Sequence, residues 1–250
     1  LGSATDSGNI LIRSVNAGTT GVSGSLLFNS GTTSDGASGL AKINTGDAEA
    51  GTSGFVQMQV GIGPADVGGG VQITAGASTS STGGNLDAAS GGSSRTSAGE
   101  VRVGSTDAGG AGTSGFLTFA TGTSSSGDTG AVTLSSGTAA GGQGGFIELS
   151  VGAGTTVNGG YIEGQAGTTT ADTGGAVSLT SGHGTTTSSG ALVLKTADAG
   201  GSGVSGAIVF NTGSGSSGSS GAVVMSTGAG TGGASGPVLF TGGSSTNSDA

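Results

Sequence analysis

The chain has 250 residues, among them 61 Gly, 2 Pro, no Cys and no Trp, with 8% charged residues and a formal charge of −9. That balance is far from an ordinary globular domain. Gly does not recur every third residue, which excludes collagen; five scattered Lys and Arg give no phosphate-binding patch, which excludes nucleic acid as a partner; and the lack of Cys excludes a disulfide framework.

Taken in chain order, a Gly precedes each short apolar run: Gly8, Gly24, Gly39, Gly54, Gly69, Gly84, Gly99, Gly115, Gly130, Gly145, Gly160, Gly175, Gly190, Gly206, Gly221 and Gly236. The steps are 15 residues, except for the three of 16 that begin at Gly8, Gly99 and Gly190. Those three glycines lie 91 residues apart, so six rows form a super-repeat. Chance does not hold a register across a whole chain, and a Gly/Ser linker would not space its apolar residues so evenly.

Numbering each row from its Gly as zero, position 2 reads Ile10, Leu26, Ala41, Val56, Val71 and Leu86 through the first super-repeat. It continues as Val101, Leu117, Val132, Ile147, Ile162 and Val177, then Leu192, Ile208, Val223 and Val238. Position 4 is mostly large and apolar, with Phe28, Phe119, Phe210 and Phe240 among its members and Ala88 and Gly164 as weak points. Position 6 is small in most rows, Val60 and Val151 excepted. Alternation at 2, 4 and 6 predicts a strand with one face inward. Position 7 is nearly always Gly, as a corner of positive φ requires. The rest of each row is Ser, Thr, Gly and Ala almost alone, small at positions 9 and 14, and predicts a second, shorter strand or extended arm.

These elements predict an all-β fold: a parallel β-solenoid of about 15 residues per coil. The alternative is a two-row coil of about 30 residues, with two apolar strands facing each other across a core. No odd–even alternation appears at positions 1, 6 or 14, which favours the smaller coil. The expected organisation is one continuous solenoid over 1–250, with super-repeats 9–99, 100–190 and a partial 191–250. Both ends fall inside incomplete rows and carry no capping repeat, so the sequence reads as a segment of a longer array. One coil cannot stand alone; stacked coils template one another.

Positions 1 and 3 point outward in this scheme yet are not uniformly polar. Position 1 carries Leu40, Phe55, Phe116, Phe146 and Tyr161; position 3 carries Leu11, Leu27, Val193, Val209, Val224 and Leu239. Runs such as Ala207–Phe210 are apolar on both faces, and such strands are usually covered on both sides. Stacked, these residues would merge into stripes of the kind that mark contact surfaces. They are the candidate lateral interface, and the expected partner is another copy, side by side and end to end.

Residues that carry chemistry are sparse. His183 is the only His and sits in a Ser/Gly-rich loop with no local partner for nucleophilic catalysis. Glu148 and Glu163 share position 3 in adjacent rows, near the carboxyl spacing of a retaining glycosidase if the rows stack, but without a cleft or supporting groups. Asp87 and Arg102 share that column and would form a surface ion pair of little worth. Asp107 and Asp198 are equivalent but stand alone, and no calcium-binding nonapeptide or phosphate loop is present. The expectation is no enzyme, with no catalytic residue, no cofactor and no metal. No apolar run nears the ~20 residues that cross a bilayer. Ser and Thr are dense enough for O-linked glycans, and no Asn-x-Ser/Thr sequon occurs.

Units such as Gly130–Gly137, followed by a Ser/Gly arm, resemble the Gly/Ser/Thr-rich tandem repeats of extracellular and cell-surface proteins of algae, especially diatoms and other stramenopiles. The resemblance covers nearly the entire chain, through a motif of low complexity that bacterial adhesin-type solenoids also show. It implies an extracellular or cell-surface structural role and supplies no site residue. The expected function is a non-catalytic filament, surface appendage or matrix fibre. The alternative is an adhesin stalk or an ice-binding solenoid, for which a regular Thr column is missing.

Overall fold

The computed structural model describes residues 8–49, 51–63, 67–110, 112–155 and 158–244. The chain divides into two units, Leu1–Ala120 and Thr121–Ala250. The same row geometry runs through each of them.

The expected parallel β-solenoid does not form. Among the described residues there is no strand, no bridge and no helix, and no side chain is buried. The chain exposes 24470 Å². A folded monomer of its 22.5 kDa would expose about 9500 Å², and an unfolded chain about 33,000 Å². Two apolar side chains per row, opposite an arm of Ser, Gly and Ala, leave no second apolar layer for a core. Without one, burial cannot offset the entropy of ordering the row.

What does form is a local closure, repeated row by row. From Gly24 to Gly221, each row-opening Gly turns the side that would carry a Cβ toward the position-6 residue of the row before it. A Cβ at Gly39 would lie 3.7 Å from the Cβ of Ser30, and one at Gly145 would lie 3.4 Å from that of Ser136. In four rows the Gly N–H also donates to the position-7 carbonyl: Gly84 to Gly76 at 2.8 Å, and Gly99 to Gly91, Gly175 to Gly167 and Gly190 to Gly182 at 2.9 Å. Ser136 Oγ donates to the Gly145 carbonyl at 3.0 Å. Of the described residues, only Ser14, Ala75, Ala166, Ser181, Gly184 and Thr196 are half-buried, and all but Gly184 occupy position 6.

This closure rules out the fifteen-residue coil. Stacked coils place each residue over its equivalent one row on, so position 6 would lie about 20 Å from the next row's Gly, six strand steps away. Here the two touch, because each arm brings the chain back to the end of its own apolar segment. The thirty-residue coil fails for a different reason: its facing strands and the core between them are absent from the described residues.

The arms bend where strands were expected. In most rows the described bend falls at positions 10–12, for example Ser34–Gly36, Ser125–Gly127 and Thr185–Thr187. Position 9 sets it. Where that residue is Ser or Thr, its hydroxyl accepts from the bend's own N–H groups. Ser93 Oγ takes Arg95 N at 3.3 Å and Thr96 N at 3.0 Å. Ser78 Oγ takes Ser81 N at 2.9 Å, and Ser124 Oγ takes Gly127 N at 3.0 Å. Thr33 and Thr169 do the same for Asp35 and Ala171. These side-chain turns compete directly with strand formation. Positive φ occurs late in the arm, at Gly21, Gly36 and Gly51, and not at the position-7 glycines where a corner was expected.

The sixteen-residue rows take up their extra residue in the arm. Gly112 N donates to Gly109 O, and Gly203 N to Gly200 O, both at 3.1 Å. These two turns are 91 residues apart, and the closure at Gly115 and Gly206 is retained.

Candidate functional site

Each apolar segment keeps the two-sidedness of an extended chain. Arg102 Nε donates to Glu100 Oε1 at 2.8 Å, and Gln57 Nε2 to Gln59 Oε1 at 3.3 Å, so positions 1, 3 and 5 share a side. Exposure grades accordingly. From row Gly24 onward, the large position-2 residues are 48–67% exposed, whereas the candidate interface residues are 71–96% exposed. The side read as inward is the more covered one, but it has no core to enter.

Leu11, Leu27, Leu40, Phe55, Phe116, Phe146, Tyr161, Val193, Val209, Val224 and Leu239 therefore all stand in solvent, dispersed row by row. Leu27 and Leu40 lie on either side of one arm. With Phe28 and Ile43 they flank an open groove of about 700 Å³ between the segments of rows Gly24 and Gly39, with Asn29, Ser30, Ala41 and Lys42 along it. A smaller recess of about 230 Å³ lies along Arg13–Asn16.

The backbone of these segments is equally unpartnered. The backbone hydrogen bonds among described residues all lie in the arms and their closures, and none joins one apolar segment to another. Sequence reasoning marked the apolar side chains but missed this second property, which alternation cannot signal because strand pairing depends on a neighbour.

The groups that carry chemistry stay apart. Arg102 pairs with Glu100 inside its own row and not with Asp87, because the rows do not stack into columns. The same absence of stacking removes the geometry that would set Glu148 over Glu163. His183 is exposed in its arm. Among the described residues no three His, Cys, Asp or Glu come close enough to hold a metal, and no helix is long and apolar enough to cross a membrane. No protein-family model, curated protein or solved structure matches the chain.

Proposed function

We propose that this chain is a non-catalytic structural protein that associates with other copies of itself into a filament, surface appendage or matrix fibre outside the cell. One observation carries the reading: every large apolar side chain among the described residues is exposed, in segments repeated at even spacing. Apolar surface on that scale is costly in water and marks a contact surface. The low charge and the absence of Lys or Arg clusters favour a like partner over a nucleic acid or an anionic membrane. The likeness of the repeat to algal surface repeats supports the extracellular setting.

Sedimentation velocity across a wide concentration range, with electron microscopy of the same samples, tests the association. The expected result is concentration-dependent growth into elongated particles. A single species of 22.5 kDa at every concentration refutes it. Antibody labelling of intact, unpermeabilised cells tests the location, and labelling only after permeabilisation refutes that part.

A further inference from the structure

The segments that await a partner also restrict how that partner sits. Among the described residues no backbone hydrogen bond joins one segment to another, and the segments' residues are those of strands: Val, Ile, Leu and Phe with few charges. A second copy is the natural occupant, because it offers the same rows at the same spacing. Sliding one copy by a single row loses register at each sixteen-residue row. Only zero offset or a multiple of 91 keeps every row matched.

Charge separates the two. Eight charged residues lie in the apolar segments: Arg13, Lys42, Asp87, Glu100, Arg102, Glu148, Glu163 and Lys195. At zero offset each faces its own copy, and like charges directly opposite one another on paired strands are destabilising. At an offset of 91 none of them faces a charge. Glu148 lies opposite Gln57 and Leu239, and Glu163 opposite Gln72. Arg102 lies opposite Leu11 and Val193, and Lys42 opposite Thr133. The apolar columns survive the shift, with Phe119 facing Phe28 and Phe210, and Val56 facing Ile147. One like pair arises in the arms, Asp107 against Asp198, where both residues are exposed to water.

We infer that the apolar segments dock on those of a second copy as parallel neighbouring strands, offset by one 91-residue super-repeat. This rests on the self-association proposed above. The offset leaves part of each copy unpaired, so every added copy presents a fresh docking segment.

The chain has no Cys, so single-Cys variants report pairing without background. Paired strands lie about 4.8 Å apart, within disulfide reach. Lys42→Cys and Thr133→Cys variants of the full chain are assembled separately and as a mixture, oxidised, and run under denaturing, non-reducing conditions. Disulfide dimers joining Lys42→Cys to Thr133→Cys, about tenfold or more above either homodimer, support the offset, given the like-charge pairs lost on leaving zero offset. Abundant Lys42→Cys homodimer overturns the offset and leaves association standing. Assemblies that sediment without any crosslink overturn parallel pairing alone. Absence of assembly overturns both readings. The pair Gln57→Cys and Glu148→Cys repeats the test in another row.

Discussion

The closure between position 6 and the next row's Gly is tightest where position 6 is Val. A Cβ placed at Gly69 would lie 2.7 Å from Val60 Cγ1, and one at Gly160 would lie 2.6 Å from Val151 Cγ1. Gly69→Ala therefore forces Val60 aside or opens the closure. A β-branched side chain is stiff at χ1. Overpacking of this kind costs about 1–3 kcal/mol in a filled core. Val60 is 41% exposed and has room to rotate, which puts the cost near the lower end, about 1.5 kcal/mol. The lost freedom of the open chain returns roughly 0.5 kcal/mol. The net, about 1 kcal/mol, lowers the ratio of closed to open chain about fivefold. Gly39→Ala is the contrast: its Cβ meets Ser30 at an ordinary 3.7 Å, so only the entropy gain acts and closure strengthens slightly.

The chain has neither Trp nor Cys, so contact quenching of a Trp by a Cys reads closure cleanly. Gln59→Trp with Gly70→Cys flanks the Val60–Gly69 closure, and Asn29→Trp with Leu40→Cys flanks its Ser30–Gly39 counterpart. The two alanine substitutions are expected to move quenching in opposite directions. Val60→Ala added to Gly69→Ala restores it, the signature of a pairwise contact. Equal effects at the two glycines, or no rescue by Val60→Ala, refute the reasoning.

Ser93→Ala removes the acceptor for Arg95 N and Thr96 N; at about 0.5 kcal/mol for an exposed bond, amide exchange at Thr96 rises roughly twofold, while Ser93→Thr leaves it unchanged. Replacing Phe55, Phe116 and Phe146 together by Ser raises the critical concentration for assembly about tenfold or more per site, because burying a Phe contributes roughly 1.5–3 kcal/mol; sedimentation measures it, and an unchanged value counts against these residues as contacts. With a formal charge of −9, raising salt from about 0.1 M to about 1 M cuts the Debye length from about 10 Å to about 3 Å and lowers the critical concentration; turbidity that falls with salt contradicts this.

The parts of the fold legible in the sequence are those decided within a row. The row spacing of Gly24, Gly39 and Gly54 was legible, but Ser30 and Thr45 were read as inward strand positions and not as what the next Gly meets. The two-sidedness of each segment was legible too, since period two needs only an extended backbone. What the alternation does not carry is a partner: the same pattern serves a strand in a coil, in another molecule, or in none. The arm misled for a related reason. Ser93 and Thr33 look equally at home as small strand residues and as turn acceptors, and in their rows the hydroxyl bonds its own backbone in the bend. Arg102 was matched with Asp87 on the assumption of columns, when Glu100 stood two residues away on the same side.

The closure joins residues only nine or ten apart, and this governs how such a sequence is made. A loop of about ten residues closes in roughly 10–100 ns, whereas synthesis adds about 5–20 residues per second. Each row can thus settle as it emerges, before the next is translated and without help from any row already made. Templated growth along one chain would require a first turn to nucleate the rest. If copies associate as proposed, the nucleation step is deferred to the meeting of two finished molecules, and concentration sets when the material appears.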